Sequence, residues 1–175
     1  MPLSEPSSQI FQVPSTSVYL ALMSVSDRSA EIAALYQELI LDHYRRPRNK
    51  GELAGATTSV TMKNPLCGDE VALHVLLDGD KVSDLRFSGR GCSISQASAS
   101  MMTQLVKGKS ATEIGQLRDT FRDMVMGTTR ADDQEVTTTL GSLRALSGVS
   151  RFPARVKCAL LAWYALESAM AGGPG

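Results

Sequence analysis

From Thr57 to Ser88 apolar residues recur at every second position, and this stretch restricts the possible folds more than any other. Thr58, Val60 and Met62 alternate with polar neighbours and read as one strand. Val71, Leu73, Val75 and Leu77 lie on one face of a second, with Ala72, His74 and Leu76 on the other. Asp78-Gly79-Asp80 is a hairpin signal, and Val82 to Phe87 form the returning strand. A three-stranded antiparallel meander is predicted. Both faces of its middle strand carry apolar residues, so helices are expected to cover one face. The predicted class is α+β, a single domain. His74, midway along that strand, reads as a partly buried structural histidine.

Helical spacing flanks the sheet on both sides. Ile32, Leu35, Tyr36, Leu39, Ile40 and Tyr44 form one apolar stripe, starting near a cap at Ser29 to Glu31 and stopped by Pro47. Arg45, Arg46, Arg48 and Lys50 form a basic cluster there, either a solvated helix end or a docking surface for an acidic partner. A second helix follows Gly89-Arg90-Gly91-Cys92 and runs to Lys107, with Gly108 at its C′ position. Its opening turns are rich in serine and alanine, which lets another backbone approach closely. Ser110 with Glu113 is a capping box for a third helix, to Val125. Gly127 to Glu135 reads as loop, and Leu140, Leu143 and Leu146 as a short helix before Gly148. Pro153 suits the first turn of an apolar last helix, with Leu160, Leu161, Trp163, Tyr164 and Leu166 along it.

The 175 residues suffice for one domain with a proper core. Lysine plus arginine and aspartate plus glutamate number 18 each, so no overall field favours nucleic acid or an anionic membrane. No apolar run approaches the ~20 residues of a membrane span. Residues 1–28 hold seven serines and three prolines with no basic residue before Arg28, and read as a poorly ordered lead-in. They match neither a secretory signal nor a transit peptide, and Met23 is a candidate true start. The glycine-rich end, 172–175, reads as a disordered tail.

Three cysteines, an odd number, argue against a disulfide framework and suit the reducing cytoplasm. Each sits at a junction. Cys67 lies in the turn Asn64-Pro65-Leu66-Cys67-Gly68-Asp69, where thiol and carboxylate are two residues apart and glycine leaves the sulfur approachable. Cys92 stands at a helix start, where the positive end of the helix favours a thiolate. Cys158 lies one turn inside the last helix, with Arg155 three residues earlier on the same face. A guanidinium so placed can stabilise a thiolate or a persulfide. Cys67, Asp69, Cys92 and Cys158 would together make a tetrahedral site of three sulfurs and one oxygen, for zinc or iron. The gaps between them are long, and each thiol is equally readable as a small buried hydrophobe.

Asn64-Pro65-x-Cys67-Gly68-Asp69, Gly89-x-Gly91-Cys92-Ser93-Ile94-Ser95 and Arg155-Val156-Lys157-Cys158-Ala159-Leu160-Leu161-Ala162-Trp163 resemble the IscU/SufU family of iron–sulfur cluster assembly proteins. Leu41-Asp42-His43-Tyr44-Arg45-Arg46-Pro47-Arg48-Asn49 is similar to that family's N-terminal signature. The resemblance spans roughly Leu35 to Met170, within a domain at 29–171. Lys157 stands where IscU-type scaffolds usually have histidine, and 126–150 corresponds to an insertion carried by SufU-type members. Both features imply the SufU branch: a zinc-dependent sulfurtransferase serving a SufS-type cysteine desulfurase and downstream assembly machinery. The resemblance implies that Cys67, Asp69, Cys92 and Cys158 hold Zn2+, that Cys67 takes the sulfur, and that Arg155 supports the exchange. It implies a rival as well, a scaffold building a [2Fe–2S] cluster on the same ligands, with Cys158 as alternative sulfur acceptor.

Overall fold

The computed structural model describes residues 25–172. The expectations for the lead-in up to residue 24, the start at Met23 and the tail from 173 lie outside the described residues. The chain divides into two units, Met1–Ala33 and Ala34–Gly175, and the second holds the sheet and the cysteines.

Helix α1 (Val25–Arg45) begins a turn before the expected cap. Ser29 does not cap it; its hydroxyl donates back to the Val25 carbonyl at 3.0 Å, the bond of a serine inside a helix. The predicted stripe buries only in part. Tyr36, Leu39 and Ile40 pack against the core, whereas Leu35 and Tyr44 stay exposed. His43 is buried, with Nδ1 2.8 Å from Ser100 Oγ, and that same oxygen accepts the Arg48 amide at 2.8 Å. A serine hydroxyl has one donor and two acceptor sites, so it can serve both partners at once. Burial, helped by Arg48, holds His43 below its usual pKa.

Strands β1 (Thr58–Asn64), β2 (Asp69–Asp78) and β3 (Lys81–Arg90) form the predicted antiparallel meander, in the order β1-β2-β3. Asn64 pairs with Asp69 across the first turn and Asp78 with Lys81 across the second. Val71, Leu73 and Val75 are wholly buried, while Ala72, His74 and Leu76 on the other face are half-exposed. His74 is structural, bonded to Ser59 Oγ at 2.9 Å and Ser88 Oγ at 3.2 Å.

Four α-helices and one 3-10 segment follow. They are α2 (Ser93–Val106), α3 (Ala111–Met126), α4 (Gln134–Thr139), the 3-10 segment (Gly141–Arg151) and α5 (Pro153–Met170). Both halves of the Ser110–Glu113 capping box form at the start of α3. Part of the expected loop at 127–135 is the first turn of α4, and the expected short helix is a longer 3-10 segment that runs through Gly148. Leu140, Leu143, Leu146 and Val149 explain it. They recur every third residue, the period of a 3-10 helix, and all four are buried.

Helix α5 is the spine of the core. It packs against β1, β2, α2, α3 and the 3-10 segment, and buried residues occur all round it, as expected of a helix enclosed by others. Tyr164 is turned outward, as are the charged Arg155, Lys157 and Glu167. The serine- and alanine-rich start of α2 permits the close approach: Ser98 Oγ donates to the Ala159 carbonyl of α5 at 2.6 Å. Among the described residues no helix is long and apolar enough to cross a membrane.

Candidate metal and sulfur site

The β1–β2 turn is tied to its own base. Asn64 Oδ1 accepts the Leu66 amide at 3.1 Å and the Asn64 carbonyl accepts the Gly68 amide at 2.9 Å. Gly68 has φ +71°, a left-handed conformation that favours glycine. The turn lifts Cys67 into solvent, while Asp69, first residue of β2, stays buried.

Cys92 is the N-cap of α2, as expected. Its amide donates to Asp69 Oδ1 at 2.9 Å, and its Sγ lies 3.4 Å from Asp69 Oδ2. Cys158 comes in from α5, 1% exposed, with Sγ 3.5 Å from Cys67 Sγ and 3.7 Å from the Ala154 carbonyl. One ligand atom each from Cys67, Asp69 and Cys158 lies within 4.8 Å of the others, and Cys92 adjoins through the second carboxylate oxygen. The four residues line one cleft of about 550 Å³, together with Arg155 and Arg90. The four expected ligands and Arg155 therefore share one place.

Electrostatics bind the group together. Burial works against the Asp69 anion, but hydrogen bonds from Cys67, the Cys92 amide, Cys158 and the Cys92 thiol outweigh it and hold the carboxyl below its usual pKa. Burial pushes the Cys158 thiol well up, reinforced by its bonds to Asp69 and Cys67 and the negative charge at Cys92. Arg155 is exposed, yet its side chain faces Cys92 and then Cys158, which raises its already high pKa. A buried carboxylate gathered with thiols that become donors on losing a proton is a set that a cation could occupy.

The Cys67–Asp69–Cys158 group could hold zinc. Bond lengths of ~2.3 Å to sulfur and ~2.0 Å to oxygen give tetrahedral edges of roughly 3.8 Å between sulfurs and roughly 3.5 Å between sulfur and oxygen. Two of the six edges compare with these, 3.5 Å for Cys67–Cys158 and 3.4 Å for Cys92–Asp69, while the Cys92 sulfur stands outside the 4.8 Å group of the other three.

Sequence reasoning does not reach three supporting residues. Asn64 is buried, and its Nδ2 points at Cys158 Sγ from 4.0 Å. Arg90 adds a second guanidinium to the cleft. Gly91 is required by space: a Cβ there would lie 2.4 Å from Ser95 Oγ and 2.8 Å from Asp69 Oδ1. The Gly-x-Gly-Cys spacing is the available signal for it. Gly91→Ala is accordingly expected to displace the carboxylate and lower zinc affinity roughly 10- to 100-fold, read by competition with a chromogenic chelator.

The basic cluster at and beyond the end of α1 is offset only in part. Asp42 pairs with Arg46 and, at 2.6 Å, with Arg48, and Lys50 Nζ donates to Gln96 Oε1 at 2.9 Å. A larger groove, about 820 Å³, runs along α3 beside α4; its charged lining includes Glu113, Asp119, Asp123 and Glu135, and it offers no sulfur.

A small α+β domain with a thiol–carboxylate centre between a sheet turn and two helix starts defines a class of sulfur- and metal-handling proteins. The chain belongs to the NifU-like N terminal domain family, whose pattern it matches over residues 35–170. It is 48% identical to the zinc-dependent sulfurtransferase SufU of Bacillus subtilis, over 84% of this chain and 97% of that protein. It is 45% identical to the iron–sulfur cluster assembly scaffold protein IscU of Streptococcus pyogenes, over 78% of this chain and 82% of that one. Among solved structures, one described as an assembly scaffold protein for the SUF system of Fervidobacterium islandicum superposes with a TM-score of 0.69. It shares 37% identity and covers 76% of this chain and 94% of its own.

Proposed function

We propose that this chain is a zinc-dependent sulfurtransferase of iron–sulfur cluster assembly, taking sulfur on Cys67 from a cytoplasmic SufS-type cysteine desulfurase and passing it on for cluster building. The observation that carries this reading is the exposed Cys67 thiol on a glycine turn, 3.5 Å from a buried second thiol and beside a buried carboxylate. The similarity to SufU over nearly all of that protein's length supports it. Segment 126–150 is, on this reading, the SufU-type insertion.

Cys67, Asp69, Cys92 and Cys158 would hold the zinc, which supplies a redox-inert positive charge that keeps thiols deprotonated at neutral pH. The Cys67 sulfur attacks the outer sulfur of the donor's persulfide. The donor's S–S bond breaks, its electron pair stays on the donor cysteine as a thiolate, and Cys67 becomes the persulfide. No net oxidation is needed. Arg155 places positive charge beside the sulfurs as negative charge accumulates on the perthiolate, and the Cys92 amide keeps Asp69 in place.

Metal analysis coupled to a desulfurase assay tests this. Colourless protein with about one zinc per chain that raises the turnover of a SufS-type enzyme is the expected result. Brown protein with iron-dependent visible absorption after anaerobic purification would instead make it a cluster scaffold.

A further inference from the structure

Sulfur carried as a persulfide is at the zero-valent level, whereas sulfur in an iron–sulfur cluster is sulfide. Two electrons must enter between the two. We infer that Cys158 is a resolving thiol, which discharges the sulfur held on Cys67 as sulfide and leaves a Cys67–Cys158 disulfide. The inference rests on Cys67 being the sulfur acceptor.

The geometry singles out this pair. Cys158 Sγ already stands 3.5 Å from Cys67 Sγ, within the roughly 3–3.5 Å of reacting atoms about to bond. Cys92 is engaged differently, its Sγ against Asp69 Oδ2 and its amide on Asp69 Oδ1. Exposure and space are divided as the step requires. Cys158 is held on the buried face of α5, whereas Cys67 rides a turn whose Gly68 has open space where a Cβ would be. The turn can carry the Cys67 sulfur the remaining distance to a bond of ~2.05 Å.

The balance closes without an added oxidant. The Cys158 sulfur attacks Cys67 Sγ, the inner sulfur, and forms the new S–S bond. The bond from Cys67 Sγ to the outer sulfur breaks and its electron pair leaves with the outer sulfur. A proton from solvent joins the departing sulfur, so perthiolate plus Cys158 thiolate plus one proton becomes disulfide plus hydrosulfide. The outer sulfur is reduced by two electrons and the two cysteine sulfurs are oxidised by one each. A dithiol reductant must then reopen the disulfide by exchange, becoming a disulfide itself. A dithiol–disulfide oxidoreductase is therefore the class of protein that resets the site, and an iron-supplying step consumes the sulfide.

The test uses the zinc-loaded chain, charged by desulfurase and cysteine, freed of donor and small thiols, and incubated without reductant. Sulfide should appear in an amount close to the persulfide lost. Peptide mapping should show Cys67 joined to Cys158, about 2 Da below the sum of the two free-thiol peptides. Zinc should pass to a chromogenic chelator in step, because two of its ligands are consumed. Cys158→Ser, with its zinc and its Cys67 persulfide measured on the same sample, should release less than about a tenth as much sulfide per persulfide loaded. Stable persulfide on Cys67 of the unmutated chain, or equal sulfide release by Cys158→Ser, overturns the inference and leaves the acceptor intact. A gain of about 32 Da on Cys158 without sulfide release overturns it too, as a handover rather than a resolution. Failure of Cys67 to gain any persulfide removes the acceptor itself, and the inference with it.

Discussion

Cys67→Ala protein, incubated with desulfurase and cysteine, should gain no persulfide and should leave the desulfurase at its unstimulated rate. The loss should be complete rather than partial, because the other two thiols do not share Cys67's access. Cys158 is 1% exposed and sits behind Cys67, and Cys92 is half-buried against Asp69. A docked donor must bring its outer sulfur to within bonding reach of the attacking atom, and only the turn presents one outward. Asp69, Cys92 and Cys158 remain in this variant, so zinc content, measured on the same sample, separates loss of the acceptor from loss of the metal. Mass spectrometry of thiol-blocked peptides locates any added sulfur. Persulfide appearing on Cys158 of the variant would move the acceptor role there.

The largest loss of stability is expected from Trp163→Ala, about 3–5 kcal/mol by urea denaturation. Trp163 is 1% exposed at the centre of α5 and stacks on Phe121 of α3, ring centroids 5.3 Å apart and planes at 25°. Removing it empties the contact between the two helices at a place where backbone cannot close the gap. Trp163→Phe should cost less than about 1.5 kcal/mol, since it keeps an apolar ring. It also removes a buried indole N–H that has no hydrogen-bond partner among the described residues. Because α5 also carries Cys158, the alanine variant should bind zinc more weakly at temperatures where its core loosens, and chelator competition against temperature would show it.

The sheet is legible in the sequence because period-two alternation at Val71, Leu73 and Val75 has one structural meaning. The turns flanking β2 are legible because Pro65, Gly68 and Gly79 are punctuation with a mechanism. The capping box at Ser110 is equally local. What escapes is set by tertiary packing. Ser29 has the chemistry of a cap, but the helix continues through it. Leu140, Leu143 and Leu146 read as an ordinary helix, although their spacing of three marks a 3-10 segment. Leu35 and Tyr44 lie in a helical stripe, yet the core reaches only Tyr36, Leu39 and Ile40. For the site, each cysteine's local setting is legible, but their convergence is not, since no local rule joins Cys67 to Cys158. The family resemblance bridges that gap. The steric need for Gly91 beside Asp69 emerges only once β2 and the start of α2 are side by side.

The 91-residue separation between Cys67 and Cys158 has a consequence for biosynthesis. A growing chain displays the turn, Asp69 and Cys92 well before α5 leaves the ribosome. It is then an incomplete chelate with poor hold on metal. On the proposed ligand set, the last ligand would arrive on the helix that also completes the core, so metal capture would be coupled to final collapse. Metal bound afterwards fastens the β1–β2 turn to α5 and favours the folded population by mass action. A nascent or misassembled copy lacks the fourth ligand and would not be loaded. On the proposed ligand set, a loaded thiol centre would thereby report that the domain has folded before sulfur reaches it.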